Sequence, residues 1–236
     1  MHKSSLQGVE RLIERYLAGV RGGQVLDVGA MSLNGAYRPL FDPARWSYFG
    51  LDLKAGPNVD IVATDPYSWP IEAERFDVVV SGQAFEHIEF FWLTILEVRR
   101  VLKPRGMAFI VAPSRGPQHR APVDCWRFYP DSHVALAKWS GLELLEVNNP
   151  WLRNDEVDFD SMWEWGDCIG VFRRPEGQQA DLGGSVQAAA AAHIKEIDRL
   201  GRQAEYPGVR IPRSRESYLS FWSSLKFRLR KHFYRA

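Results

Sequence analysis

Residues 25–35 read VLDVGAMSLNG. A β-branched apolar run closes on Gly29, and Gly35 follows after a short polar interval, so a strand is expected to turn sharply at its carboxyl end. Outward from this stretch the same kind of run recurs: SYFGLDL (47–53), VDIVAT (59–64), FDVVVSG (76–82), MAFIVAPS (107–114), LELLEV (142–147) and DCIGVFRR (167–174). FDVVVSG lacks polar alternation, as a strand covered on both faces should. Between the strands, NGAYRPLF (34–41), FFWLTILEVRRVLK (90–103) and PDSHVALAKWSG (130–141) read as helices. In the second of these Phe91, Leu93, Ile95, Leu96, Val98 and Val101 mark one apolar side, and Pro104 and Gly106 stop it. Asp131 stands at the start of the third. Strands alternating with helices predict a doubly wound, mostly parallel α/β sheet. Such sheets bind ligands beyond the carboxyl ends of their strands.

The 236 residues suffice for one domain with an appendage, and 45% hydrophobic with 25% charged residues is the composition of a globular protein with a real core. A formal net charge of +1 argues against a nucleic-acid partner. Cys125 and Cys168 fall in no metal-binding spacing, which points to a reducing compartment. Leu6, Val9, Leu12, Ile13, Tyr16, Leu17 and Val20 recur at helical spacing before Gly22-Gly23, so residues 1–23 are expected to form a helix rather than a secretory signal. No run is long enough for a membrane span. The expected location is the cytoplasm.

The strand ends carry the chemistry. Gly29 lets the backbone approach a ligand, and Asp52 ends the second strand about 20 residues further on, where a carboxylate can accept hydrogen bonds from ribose hydroxyls. Both features also fit a nicotinamide-binding fold. Two details favour another ligand. The turn is GAMSLNG rather than the G-x-G-x-x-G that brings a helix N-terminus to a pyrophosphate. Asp27 also lies beside the place phosphates would occupy, where it suits a cationic amino group instead.

Taken together, VLDVGAMSLNG, YFGLDL (48–53), VATDPYSWP (62–70), FDVVVSGQAFEHI (76–88), VLKPRGMAFIVAPS (101–114) and WGDCIGVFRRP (165–175) resemble the class I S-adenosylmethionine-dependent methyltransferases of the small-molecule type. The likeness runs over about residues 20–174, departing from the family where its usual G-x-G-x-G reads GAMSLNG. It implies a Rossmann-like seven-stranded sheet whose last strand is antiparallel, with S-adenosyl-L-methionine as cofactor. Asp27 and the Gly29 backbone would face the methionine portion, Asp52 would bind the ribose, and Asp65 the adenine amine. Leu53 and Pro66 would line the ring, while Ser81, Gly82 and Gln83 would pass along the reacting end. Asp65 before Pro66 also fits a simple turn cap, a reading of equal standing. DPYSWP (65–70) follows the third strand and lacks the second proline of D-P-P-Y, so it reads as a cofactor loop and not a nucleobase clamp.

Methyl transfer from a sulfonium needs an acceptor held in line, and an alcohol acceptor also needs a base. Glu86 and His87 follow the fourth strand; His119 and Asp124 lie in GPQHRAPVDCWRFYP (116–130), which follows the fifth. These four are the candidate catalytic residues. Arg120, Trp126, Arg127 and Tyr129 are candidates for substrate binding, with rings to stack on a sugar face and guanidinium groups for hydroxyls or an anion. Against this stands core packing of Trp126 and Phe128, with Arg127 paired to Asp124. Glu86, Asp124 and a substrate diol would also suit Mg2+, though no spacing demands a metal. PVDCWRFYPD (122–131) loosely resembles bacterial methyltransferases of surface-polysaccharide pathways, so the expected reaction is O-methylation of a sugar, glycoside or glycan precursor. The alternatives are N- or C-methylation of another metabolite, and a non-catalytic cofactor-binding scaffold.

The methyltransferase domain is expected over residues 24–174. Residues 175–236 read as a linker and helical extension. VQAAAAAHIKEIDRLGRQ (186–203) has helical character, and residues 217–236 form a basic amphipathic helix bearing Tyr218, Trp222, Leu225, Leu229 and Phe233 on one face. Docking on this domain, a homodimer, or contact with the inner face of a membrane are the expected uses of that helix.

Overall fold

In the computed structural model, residues 3–31, 35–120, 123–149, 165–177 and 184–201 are described. Strand β1 (Gly23–Val28) is central: its parallel neighbours are β2 (Trp46–Asp52) on one side and β4 (Phe76–Gly82) on the other. The full sheet has the order β3-β2-β1-β4-β5-β7-β6, where β3 is Ile61–Val62, β5 Leu102–Arg115, β6 Glu143–Asn148 and β7 Gly166–Arg173. β7 runs antiparallel to both β5 and β6, and the other pairings are parallel. This is the doubly wound α/β sheet with an antiparallel last strand that the sequence predicts.

The alternation of apolar residues along β1 feeds two cores. Leu26 and Val28 join Val79, Ala108 and Ile110 beneath helix α2 (Phe91–Val101) and helix α3 (Pro130–Ser140). Val25 joins Val78, Val80, Phe109, Val111 and Val171 beneath helix α1 (Lys3–Leu17), whose Val9, Leu12 and Leu17 are buried. Each such side chain contributes roughly 1.5–3 kcal/mol by leaving water. Helix α4 (Gly184–Gly201) reaches the α2 face through Gln187, whose amide donates to Glu97 at 3.1 Å.

The winding departs from the expected alternation. Over the described residues 35–41, NGAYRPLF forms a single 3-10 turn, Arg38–Leu40, instead of a helix, and no helix lies between β2 and β4, where the sequence predicts none. Tyr37 and Phe41 plug the sheet where a crossover helix would lie, both fully buried or nearly so. Strand β3 is two residues long rather than the six of VDIVAT, because Asp60 turns back to Gly50: its amide donates to the Gly50 carbonyl, and its carboxylate accepts from the Gly50 amide at 2.7 Å. Strand β5 begins at Leu102, before Pro104 and Gly106, and the left-handed Arg105 (φ 66°) makes the bend. There the buried Arg174 guanidinium donates to the Leu102 carbonyl at 2.5 Å and to Glu74 at 2.7 Å.

The amino end of α1 meets the carboxyl ends of the strands. Ser5 Oγ and Tyr37 Oη lie 2.5 Å apart, and Ser4 donates to Asp167 at 3.2 Å. Tyr37 in turn lies against Gly82, where an added Cβ would stand 2.1 Å from its hydroxyl. None of the described helices is long and apolar enough to cross a membrane. Residues 217–236 and the uses expected of them fall outside the described residues. Gly82→Ala should lower stability by roughly 1–3 kcal/mol, measured by urea denaturation, and should cost much less in a Tyr37→Ala background because the two sites share one space.

Candidate active site

The order of the strands reverses between β1 and β4, so their carboxyl ends open a crevice. Gly29 leaves β1 with φ 79°, and a Cβ there would stand 2.4 Å from that of Ala84 after β4. Only glycine fits. The Gly29 and Ala30 amides donate to the Leu51 carbonyl at 2.9 and 3.0 Å, which folds the turn over the end of β2. Asp52 sits there half-buried, its two oxygens accepting the Met31 amide at 3.0 Å and the Leu53 amide at 2.7 Å. Leu53 itself is exposed. Across the crevice Gln83, held at φ 59°, donates its side-chain amide to Asp167 at 2.8 Å. Its buried Oε1 has no hydrogen-bond partner among the described residues.

Beyond Gln83 the chain makes a 3-10 turn over Phe85–His87. The turn drives Glu86 fully inside, and neither carboxyl oxygen has a hydrogen-bond partner on another of the described residues. Burial pushes its carboxyl up to about 8. Two imidazoles face it: His87 Nε2 at 3.5 Å and His119 Nε2 at 3.9 Å from Oε1. The rings lie edge to face, centroids 4.8 Å apart, with Trp165 against the far side of His119. His87 Nδ1 is 2.5 Å from the Val123 carbonyl, and His119 Nδ1 is 3.3 Å from Asp124 Oδ2.

The loop after β5 is thus built around Asp124. Its buried carboxylate takes two hydrogen bonds from Arg127, at 2.6 and 2.9 Å, and one from the His119 amide at 2.7 Å. Burial alone would raise its carboxyl, but these partners hold it below the usual range. The candidate roles of Asp124 as base or metal ligand, and of Arg127 in substrate binding, therefore give way to a mutual ion pair. Phe128 is core, packed on Phe85 and Phe91. Trp126 packs on Phe91 and Trp92, and its indole N–H donates to the Ile88 and Glu89 carbonyls, yet 38% of its surface stays exposed. Tyr129 is exposed and Arg120 half-buried.

A family model described as a methyltransferase domain matches residues 26–110. The match covers β1 through the middle of β5, with the crevice and Glu86 inside it. The solved structures agree on the fold. The CurJ carbon methyltransferase aligns at 15% identity and TM-score 0.55 over 74% of this chain and 55% of its own, so this chain spans little more than half of that protein. A Burkholderia thailandensis 1,6-didemethyltoxoflavin-N1-methyltransferase, solved with its substrate and S-adenosylhomocysteine, aligns at 15% identity and TM-score 0.56 over 74% of this chain and 80% of its own. The [4+2]-cyclase SpnF aligns at 19% identity and TM-score 0.52, over 72% and 83%. No curated protein matches the sequence.

S-adenosylmethionine is the cofactor that goes with a methyltransferase domain, and the crevice fits it. The glycine turn admits the ligand, while Asp52 and the partnerless Gln83 Oε1 offer acceptors to hydroxyl and ammonium donors rather than donors to phosphate. Other residues expected at the cofactor make contacts within the fold. Ser81 is buried and donates to the Val28 carbonyl at 2.9 Å, joining β1 to β4. Asp65 caps its own turn through the Tyr67 amide at 2.7 Å, and the Pro66 carbonyl accepts from Trp69 and Thr94. Asp27 is buried on the α1 face, accepting from Tyr48 at 2.7 Å and Asn58 at 3.4 Å; the same Asn58 amide holds the Ala30 carbonyl at 3.0 Å. It props the turn from below and does not face the crevice. Asp167 and Trp165 were not singled out by the sequence, since nothing local marks a residue in the closing strand as neighbour to Gln83 or His119.

Burial raises the Asp27 carboxyl to about 6, above its value of 3.8 in the open chain. The folded state therefore holds this proton where the unfolded state has lost it, and stability declines as pH rises from about 4 to about 6. Asp27→Asn keeps an acceptor for Tyr48 without the charge. Its stability relative to the parent should improve by about 2 kcal/mol between pH 4.5 and pH 7.5, as read by denaturant titration.

Proposed function

We propose that the protein transfers the methyl group of S-adenosylmethionine to an oxygen of a small hydroxylated acceptor, of the sugar, glycoside or glycan-precursor kind. The observation that carries this reading is the buried Glu86 faced by two imidazoles just beyond the carboxyl ends of β4 and β5. When bound, the cofactor supplies an activated methyl and a neutral leaving group. The chain then has to hold the acceptor in line and receive its proton as the O–C bond forms. An imidazole facing Glu86 does the second, and the imidazolium that results favours ionisation of the buried carboxyl beside it, so each charge stabilises the other. Trp126 and Tyr129 offer ring faces on the same loop, and Arg120 a cation. Asp52 holds the ribose hydroxyls, and Gln83 Oε1 receives a donor from the methionine end.

An amine acceptor would need no such proton sink, which sets the oxygen reading apart from the nitrogen one. Turnover on a panel of hydroxylated and amine acceptors tests this, together with calorimetric titration of S-adenosylhomocysteine. His119→Ala should lower kcat on the hydroxylated acceptor roughly 100-fold or more, leaving S-adenosylhomocysteine affinity within about twofold. Asp52→Ala should do the reverse, weakening S-adenosylhomocysteine about tenfold or more. Methylation of amines alone would overturn the choice of oxygen.

A further inference from the structure

We propose that Glu86, His87 and His119 form a binding site for a divalent transition-metal ion of the Zn2+ or Fe2+ kind. One ligand atom from each residue lies within 4.8 Å of the others. The two separations from Glu86 Oε1, 3.5 and 3.9 Å, are longer than ordinary hydrogen bonds. Bonds of about 2.0–2.2 Å at tetrahedral angles set donors about 3.3–3.6 Å apart, so the first already has the spacing of donors around an ion and the second has to close by a few tenths of an ångström. A fully buried carboxyl group with no hydrogen bond from another described residue is costly to ionise unless something positive sits against it.

The surroundings of the two histidines point the same way. His87 Nδ1 faces the Val123 carbonyl and His119 Nδ1 faces Asp124, so each ring is oriented through Nδ1 and turns Nε2 toward Glu86. A histidine that ligates a metal is fixed in this manner, by a carbonyl or a carboxylate on its other nitrogen. Asp124 is a positioning residue here: Arg127 and the His119 amide already occupy its oxygens. The donor set also chooses among metals. Two imidazoles and one carboxylate suit zinc or iron and are a poor match for Mg2+, which prefers oxygen and water. Three protein ligands leave a coordination position open. That an acceptor oxygen would take this position rests on the O-methylation reading, in which coordination would then acidify the hydroxyl in place of an imidazole base.

The test uses the full chain, stripped with a chelator and titrated with Co2+ while its visible d–d absorption is followed. One Co2+ per chain is expected, displaced by Zn2+ and not by Mg2+. Glu86→Gln, which preserves shape and removes the buried charge, should weaken Co2+ by roughly 100-fold while melting at or above the parent temperature. His87→Gln supplies a second ligand variant should the first fold poorly, and Asp124→Asn should weaken the metal roughly 10-fold. Asp52→Ala should leave Co2+ affinity unchanged. Absence of a d–d band, or Co2+ affinity unchanged from the parent in the Glu86 and His87 variants, would overturn the site. S-adenosylhomocysteine titrated into the same preparations separates the two readings: metal binding without it would sink the cofactor reading alone, and the converse result would sink the metal alone.

Discussion

The pairing of β1 with β4 is the constraint on which the crevice depends. Val25 through Val28 run beside Val78 through Ser81, and the Ser81 hydroxyl fastens their carboxyl ends by donating to the Val28 carbonyl. Because β1 has β2 on its other side, the connections leave in opposite directions and a gap must open between them. Both chains leave that gap at a glycine. Gly29 lies against Ala84 from the opposite strand end, and Gly82 lies against Tyr37 from the turn after β1. The two connections are thus packed through each other, and neither position tolerates a side chain at the present spacing.

The same pairing explains why a carboxylate as unfavourable as that of Glu86 is kept. The 3-10 turn after Gln83 has no room to swing outward, since the Gln83 amide is tied to the Val111 carbonyl and the Cys125 amide to the Glu86 carbonyl. Glu86 is therefore carried inward with Phe85, one side chain packing on Phe128 and the other facing the imidazoles. A hydrophobic residue would fill that space at lower cost. Holding a carboxyl group there instead makes sense for chemistry that needs proton affinity or a cation away from bulk water.

How much of this the sequence discloses follows from the range of the interactions. The strands are visible because apolar runs and turn glycines are local signals, while the antiparallel direction of β7 is implied only by the family resemblance. The missing helix between β1 and β2 is not visible, because Tyr37 and Phe41 do a helix's work by tertiary packing that no period reveals. Glu86, His87, His119 and Asp124 stand out by residue type near strand ends. Their division into a buried cluster and an ion pair supporting it does not, since Arg127 is equally able to bind a substrate or its neighbour three residues away. Asp27 shows the limit well: period two places it on the face opposite Leu26, and only the position of Tyr48 and Asn58 shows that this face leads under the turn instead of into the crevice.

The loop over residues 116–120 and 123–129 then has a double duty that follows from its hydrogen bonds. Phe128 anchors it to the α2 core, and the Phe128 amide donates to the Pro113 carbonyl at the end of β5. From that fixed end, the Arg127–Asp124 pair carries rigidity back to His119, and the Val123 carbonyl orients His87 on the other segment. Both imidazoles are thus set by one loop while the carboxylate they face is set by another. A displacement of the loop would move His119 Nε2 relative to Glu86 and take away the carbonyl that orients His87, whose backbone stays with Glu86 on the turn after β4. Geometry at the cluster is consequently as stable as the packing of Phe128 and Trp126 on Phe91, which links the aromatic character of the loop to the precision of the site rather than to the acceptor alone.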